Sequence, residues 1–493
     1  MKPLKQKAIM SSSNEHASVT PAEDWDTIDW KTARQKVKLL QHRIVKATQE
    51  GKYRKVKSLQ WILSHSFYAK ALAVKRVTEN RGKRTAGVDG VKWTVSSQKW
   101  EAIHSLTRKG YTALPLKRVL IPKANGKKRP LSIPTFKDRA MQALHIMGLD
   151  PVSETIADPN SFGFRKGRSC ADAIEQCFNA LALKTSSEWI LDADIEGCFD
   201  NISHQWLKEN VPMDKRVLKQ WLAAEIIQYN TSTRSPRGTP QGGIVSPVLA
   251  NLTLNGMEEQ LYRVTNTRLT KEGYKSRNPR KVNFIRYADD FIITAKDKDT
   301  LTELVLPFVD DFLAQRGLRL SAKKTRVVHI SEGFDFLGHN IRKYKGKLLI
   351  KPNKAAVQDV KHKAFTIIRH NKAISQEMLI KKLNPVLRGW ANFFKGSCAK
   401  QTFTSLDHDL YQSLWKWCRR RHTRKPRQWI KDRYFHTGNG RDWLFAVPEE
   451  NTSLFRTETV KIQRHLKVRN QANPYDKRWW IYFEKRSRGG RVR

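Results

Sequence analysis

The segment FIRYADDFIITA, residues 284–295, sets two adjacent carboxylates, Asp289 and Asp290, at a bend between two apolar, strand-like runs. An Asp-Asp dipeptide alone often marks an exposed turn. Here its flanks are apolar, and buried charge left without a partner costs several kcal/mol. A second acidic site stands in EWILDADIEGCFDN, residues 188–201. Strand alternation places Asp192 and Asp194 on one face, with Leu191, Ala193 and Ile195 on the other. Asp194, at the strand end, is positioned to meet Asp289 from the bend. Converging carboxylates are hard oxygen ligands that suit a pair of Mg²⁺ ions. Such a pair can activate a hydroxyl nucleophile and stabilise a leaving phosphate. Asp192 and Asp200 read better as ordinary salt-bridge or capping residues.

These carboxylates need a sheet to hold them. From Leu114 to about Tyr344, short runs such as KRVLIP, EWILDADI, VNFIRYADDFIITA and KTRVVHI alternate with helical stretches, which predicts a mixed α/β region. Upstream, Val37, Leu40 and Ile44 fall at helical spacing and predict a helix from Trp30 to Glu50. Gly51 breaks the pattern. Val56, Leu59, Leu63, Phe67 and Leu72 predict a second helix from Lys52 to about Glu79. Lys and Arg crowd the other faces of both, as either a solvated surface or one that faces RNA. Residues 1–24 are polar and Ser-rich and read as a disordered arm. From Lys345 onward strands fade and amphipathic helices dominate.

The 493 residues carry 93 Lys plus Arg against 46 Asp plus Glu, a formal charge of +47. A surplus of that size points to a polyanionic partner, most simply nucleic acid. Residues 341–493 hold 37 Lys or Arg against 11 Asp or Glu, which marks a separate basic region. Within it, WKWCRRRHTRKPRQW (415–429) interleaves aromatic rings with Arg, a mixture that can pair with phosphate and stack on bases. No apolar run is long enough for a membrane span. The first residues match neither a secretory signal nor an import sequence. Cys170, Cys177, Cys198, Cys398 and Cys418 form no CxxC pair, so reduced thiols are expected rather than disulfides or structural zinc. Composition alone leaves enzyme and nucleic-acid scaffold equally open.

YADD after an apolar run, with DIEGCF upstream, resembles the palm of a reverse transcriptase. Further strings stand in the order of that family: RVLIPKANGKKRPLSIPTFKDRAMQ (118–142), NSFGFRKGRSCADAI (160–174), GTPQGGIVSPVLANLTL (238–254), LRLSAKKT (318–325) and FDFLGHNI (334–341). LNPVLRGWANFF (383–394) resembles the maturase, or thumb, region of group II intron-encoded proteins. Together they span roughly residues 25–480, and the chain is identified as a member of the bacterial-type group II intron reverse transcriptase and maturase family.

The resemblance implies a right-hand polymerase fold of the α+β class. Fingers and palm would hold an antiparallel sheet, beside an α-helical thumb (the maturase X domain) and a helical N-terminal extension. The expected divisions are an arm at 1–24, an RNA-binding extension at 25–95, fingers and palm at 96–344, a three-helix thumb at 345–425 and a basic DNA-binding segment at 426–493. Asp194, Asp289 and Asp290 match the catalytic metal-binding aspartates, with Ile195 in the metal set. Lys324 matches a lysine proposed to protonate pyrophosphate, with Lys323 beside it as the alternative. Lys123 and Arg129 match fingers residues that grip the triphosphate. Phe199, five residues past Asp194, matches the ring that excludes a ribose 2′-hydroxyl. Gln241 and Gly242 would line the nascent base pair, and Phe336, Leu337 and Gly338 would form the primer grip. Ser246 and Pro247 read as the N-cap and N1 residue of the helix that follows. Lys416, Arg419, Arg420, Arg421, Arg424 and Lys425 are the expected RNA and DNA contacts.

The activity so implied is Mg²⁺-dependent copying of RNA into cDNA from dNTPs, with help to intron splicing and reverse splicing during retrohoming. The partners would be group II intron RNA, in a ribonucleoprotein, and target DNA; the location would be cytoplasmic, at the bacterial nucleoid. A splicing-only maturase is the rival from another class, and intact aspartates argue against it. Recruitment to phage defence or spacer acquisition stays open. Many relatives end in a zinc-bound HNH nuclease. This sequence ends at RSRGGRVR without a cysteine after Cys418, so that nuclease is expected to be missing.

Overall fold

The computed structural model describes residues 24–122, 126, 128–229, 231–240, 242–270, 275–438 and 441–488. The arm, except Asp24, and the candidates Lys123 and Gln241 lie outside the described residues.

The central sheet is antiparallel, in the order Arg326–His329, Trp189–Asp194, Asp290–Ala295 and Asn283–Tyr287. Its strands are short and rich in β-branched and aromatic residues, as a half-buried pleated surface requires. Leu191, Phe284, Phe291 and Ile293 are fully buried on one face, joining a core that includes Phe312 and Leu313 from the helix Leu306–Ala314. Ile190, Ile285 and Ile292 are buried on the other face against the helix Cys170–Leu181. A side chain of this size contributes about 1.5–3 kcal/mol when fully buried. The sheet is therefore pinned from both sides. A second sheet, Lys128–Ile133, Leu116–Pro122, Ile226–Gln228 and Thr231–Thr233, forms the fingers.

The N-terminal region differs from expectation in one respect. Ser66 adopts an extended conformation (ψ 127°) and splits the second helix into Tyr53–His65 and Phe67–Glu79. Together with Trp30–Gln49, these helices pack on Phe136–Thr155, the long helix under the fingers. Val56, Leu59 and Leu63 are buried as the spacing predicts.

Beyond a three-stranded sheet (Phe334–Phe336, His339–Tyr344, Lys347–Pro352) come three helices, Lys354–His370, Gln376–Phe394 and Lys400–Arg421. Their core contains Leu379, Leu383, Leu387, Leu406, Leu410 and Leu414. Strands do not fade entirely in the basic region: Phe435–Gly438, Arg441–Val447 and Thr452–Ser453 make a further small sheet.

From Gln463 the chain turns back to the palm. Val468, Ala472 and Tyr475 are buried there. The anchor is Asp172, fully buried near the start of the helix Cys170–Leu181. It accepts hydrogen bonds from His465 at 2.9 Å, the Val468 N–H at 2.7 Å and Arg486 at 2.6 Å. Burial pushes this carboxyl up. The bonds from His465 and Val468 and the charge of Arg486 outweigh it and hold the group below its ordinary range. Further along, Lys38 of the first helix stands 3.7 Å from the ring centre of Trp480. The segment thus ties the end of the chain to palm and N-terminal helices, a role its composition did not suggest. Among the described residues, no helix is long and apolar enough to cross a membrane.

Candidate active site

Asp194 ends its strand directly opposite Asp290 in the antiparallel register. Ala288 and Asp289 form the two-residue turn between Asn283–Tyr287 and Asp290–Ala295. Burial pushes the Asp289 carboxyl up; its own backbone N–H opposes this, and the charge of Asp194 adds to it. Asp290 is pushed up to about 7, first by burial, then by Asp289 and by a hydrogen bond with Asp194. The structure thus gathers the three carboxylates at one end of the sheet. Asp192 points the same way as Asp194 but is paired with Arg326 at 3.0 Å, an ordinary ion pair.

The choice between Lys323 and Lys324 is decided geometrically for contact with Asp194. The Ser321 N–H donates to the Asp194 carbonyl at 2.8 Å, which lays residues 320–325 across the strand end. Lys324 Nζ then donates to both oxygens of Asp194 at 2.9 Å. That bond raises the ammonium above its ordinary value. Among the described residues, no three His, Cys, Asp or Glu side chains form a ready-made metal cage. The donor chemistry nevertheless fits a divalent cation. All three side chains offer hard carboxylate oxygens, and burial together with the carboxylates' mutual repulsion, both of which raise Asp289 and Asp290, would be offset by a cation.

The turn rests on a buried polar network that the sequence did not disclose. Arg286, three residues before Asp289, is fully buried. Its guanidinium donates to the Ala288 carbonyl at 3.2 Å, Asn251 Oδ1 at 3.3 Å and Asn255 Oδ1 at 3.1 Å. Ala288 has φ +59°, a left-handed conformation that costs a residue with a Cβ roughly 1–2 kcal/mol. Asn251 in turn donates to the Gly163 carbonyl at 3.0 Å. A Cβ on Gly163 would collide with the Ala288 backbone nitrogen, so only glycine permits this approach. The signal available in sequence was a charged residue inside an apolar strand.

The remaining candidates surround this centre unevenly. Arg129, on the fingers strand Lys128–Ile133, lies close enough for its charge to pull Asp289 down. Phe199 is half-buried, and its carbonyl accepts from the Thr239 N–H at 2.6 Å. Gly242 has φ +113° and rests on the Ser132 carbonyl and Leu131, joining the glycine-rich loop to the fingers. Ser246 is the first residue of its helix rather than the N-cap, which is Val245. Its hydroxyl turns back to the Pro240 carbonyl at 2.8 Å and braces the loop instead. Leu337 and Gly338, at φ +49° and +78°, form the tight turn after the buried Phe336. The next residue, His339, packs on Phe393 and Phe394 of the second thumb helix.

Sharing no residue with the carboxylate site, Lys361, Arg369, Lys372, Lys416, Arg420 and Arg421 line a groove of about 620 Å³ between the first and third thumb helices. Arg421 is partly structural: it stacks on Trp417 and donates to the carbonyls of Lys372 and Ile374. Arg419 is exposed outside the groove lining. Lys425 lies 5.3 Å from the ring centre of Trp429, and Arg424 is exposed in the same turn.

An antiparallel palm sheet that presents paired carboxylates at a hairpin turn, flanked by a fingers sheet and a helical thumb, defines a right-hand nucleic-acid polymerase of the reverse transcriptase class. The model for reverse transcriptase (RNA-dependent DNA polymerase) matches residues 121–341. The N-terminal domain of reverse transcriptase matches residues 25–106, and the group II intron maturase-specific domain matches residues 357–435. Protein YkfC of Escherichia coli (strain K12) is 30% identical over 302 residues, covering 55% of this chain and 79% of that protein. Group II intron-encoded protein LtrA of Lactococcus lactis subsp. cremoris is 26% identical over 372 residues, covering 63% of this chain and 61% of its own length. An uncharacterized 91 kDa protein in the cob intron of Schizosaccharomyces pombe is 29% identical over 324 residues, covering 55% of this chain and 39% of its own. The match thus spans less than two thirds of the last two. The chain belongs to the group II intron-encoded reverse transcriptases and maturases, RNA-directed DNA polymerases that act in intron splicing and mobility. Reverse transcriptases use divalent metal ions.

Proposed function

We propose that this chain binds the RNA of a group II intron, assists its splicing and reverse splicing, and copies it into cDNA at a DNA target during retrohoming. The observation that carries the polymerase part is the meeting of Asp194, Asp289 and Asp290 at one sheet end, with Asp290 pushed up to about 7. Two Mg²⁺ ions held there, by these side chains and Ile195, would lower the pKa of a primer 3′ hydroxyl and offset charge on departing pyrophosphate.

The chain's own residues supply the rest. Lys324 stands beside Asp194, 2.9 Å from its carboxylate, where an ammonium can face the leaving pyrophosphate and give it a proton once that contact is exchanged. Arg129 offers a planar fork to the incoming triphosphate, with Lys123 expected beside it. Gly242 is assigned to the nascent base pair, with Gln241 expected beside it. Phe199 stands under the sugar, where a ring excludes a 2′-hydroxyl. Phe336, Leu337 and Gly338 hold the primer end through a turn braced on the thumb. The basic residues of 426–493, with Arg424 and Lys425, are assigned to target DNA. Where the chain returns to the palm, buried residues such as Val468, Ala472 and Tyr475 anchor it and leave the exposed basic side chains to make that contact.

Intron RNA is assigned to the thumb groove, because six cations line it against one carboxylate, Asp409, which Lys361 already neutralises. Replacing Lys416 and Arg420 with Gln tests this without disturbing Arg421, which supports the helix end. For every cation–phosphate pair removed, the plot of log affinity against log salt should flatten by about 0.7–0.9. Weaker RNA binding and poorer protein-assisted splicing are expected, with primer extension on a simple RNA template retained. An unchanged salt slope would place the RNA elsewhere.

A further inference from the structure

Between the glycine that supports the catalytic turn and a fully engaged arginine lies one residue in an unfavourable conformation. Phe164 has φ +58°, uncommon for any residue with a Cβ and an outlier for a bulky one. The residue is 50% exposed, although Phe162, Gly163 and Arg165 around it are buried.

The flanks impose this conformation. Arg165 forms a fork onto the Glu154 carboxylate at 2.7 Å and donates to the carbonyls of Asp158 and Ser161, also at 2.7 Å. On the other side, the Phe162 N–H donates to the Arg286 carbonyl at 2.9 Å, and Gly163 is wedged under Ala288. A strained residue persists when its surroundings over-determine it, and such residues cluster at functional sites. The exposed ring meets one notable partner: it stands edge-on to Phe199, with ring centres 6.1 Å apart at 76°. Phe199 has its backbone fixed by Thr239, but its side chain is only half-buried.

We propose that Phe164 is a second specificity-determining residue, a ring that holds Phe199 upright against the sugar of the incoming nucleotide. The ligand class it discriminates is the ribonucleoside triphosphate, whose 2′-hydroxyl needs the space that a tilted Phe199 would release. This rests on the reading that Phe199 faces that sugar. Strain at Phe164 is the cost of placing its ring where loop geometry otherwise favours glycine or asparagine.

The test compares kcat/KM for ribo- and deoxynucleotides in Phe164→Gly, Phe164→Tyr, Phe199→Ala and the Phe164→Gly/Phe199→Ala double variant, with thermal melting of each. Glycine accepts φ +58° freely, and this relief offsets the lost ring contact, so Phe164→Gly should stay folded and melt close to the parent. Its ribo-to-deoxy ratio should nevertheless rise, by about threefold to tenfold if the lost aromatic pair has ordinary strength. Phe164→Tyr keeps the ring and should hold the parent ratio. Phe199→Ala should raise the ratio further, and the double variant should match it rather than exceed it. If Phe199→Ala moves the ratio and Phe164→Gly does not, or if Phe164→Gly lowers both substrates equally, the inference fails while the reading of Phe199 stands. If neither moves it, the reading of Phe199 falls and takes the inference with it.

Discussion

Asp289→Asn should abolish nearly all nucleotide incorporation while leaving the protein folded. The substitution keeps size and shape but removes one negative charge from three gathered at the sheet end. Losing one preorganised charge-stabilising group typically costs about 10²–10³ in rate, and a lost metal ligand should do at least as much. Two other readouts separate this from unfolding. Repulsion from Asp289 is the next cause after burial of the upward shift at Asp290. Removing it should leave the metal-free variant melting no lower than the parent. Added Mg²⁺ should raise the melting temperature of the parent more than that of the variant, because binding to the folded state alone stabilises it. Affinity for intron RNA should be nearly unchanged, since the thumb groove shares no residue with the carboxylate site. Undiminished primer extension by Asp289→Asn would remove this centre from the mechanism.

What sequence could reveal here followed the range of the interactions. Asp194 and Asp289 were legible because alternation over a short strand decides which side chains share a face, and the turn lies within one hairpin. The buried faces of the N-terminal helices were legible for the same reason. The break at Ser66 was not: serine suits a cap, but it also occurs inside helices, and packing on the helix Phe136–Thr155 decides the matter. Ser246 suited an N-cap by type, yet the upstream Pro240 carbonyl captured its hydroxyl. The return of the chain at 463–488 was hidden more deeply. Its anchors, Asp172 and the Lys38 ammonium, lie hundreds of residues away, and His465 and Arg486 look like any other basic residues of that region. Lys323 and Lys324 could be told apart only once the segment's crossing of the strand end was known.

Arg286 is the place where the hidden part of the structure should show its largest effect. Its side chain sits wholly inside the palm and reaches the Ala288 carbonyl and the oxygens of Asn251 and Asn255. Asp158 and Glu258 stand near enough for their charges to act on it. Arg286→Met fills most of the volume but leaves these acceptors unpaired and removes a positive charge that acts on Asp158 and Glu258. Breaking a buried charge arrangement by removing one partner costs about 3–5 kcal/mol, a large fraction of the stability of a typical domain. A marked fall in the urea midpoint is expected, with activity lost as a consequence. Arg286→Lys is the informative partner. It restores the positive charge, but an ammonium on a flexible stem lacks the rigid fork that holds carbonyl and amide oxygens together. That variant should recover most of the stability and still bind RNA. Ala288 would then be free to leave φ +59°, and Asp289 would move with it. The expected signature is a kcat lower by about tenfold, equivalent to roughly 1.4 kcal/mol at the transition state, with little change in KM for deoxynucleotides. A merely structural role would instead return kcat to the parent value as soon as Arg286→Lys restored the fold.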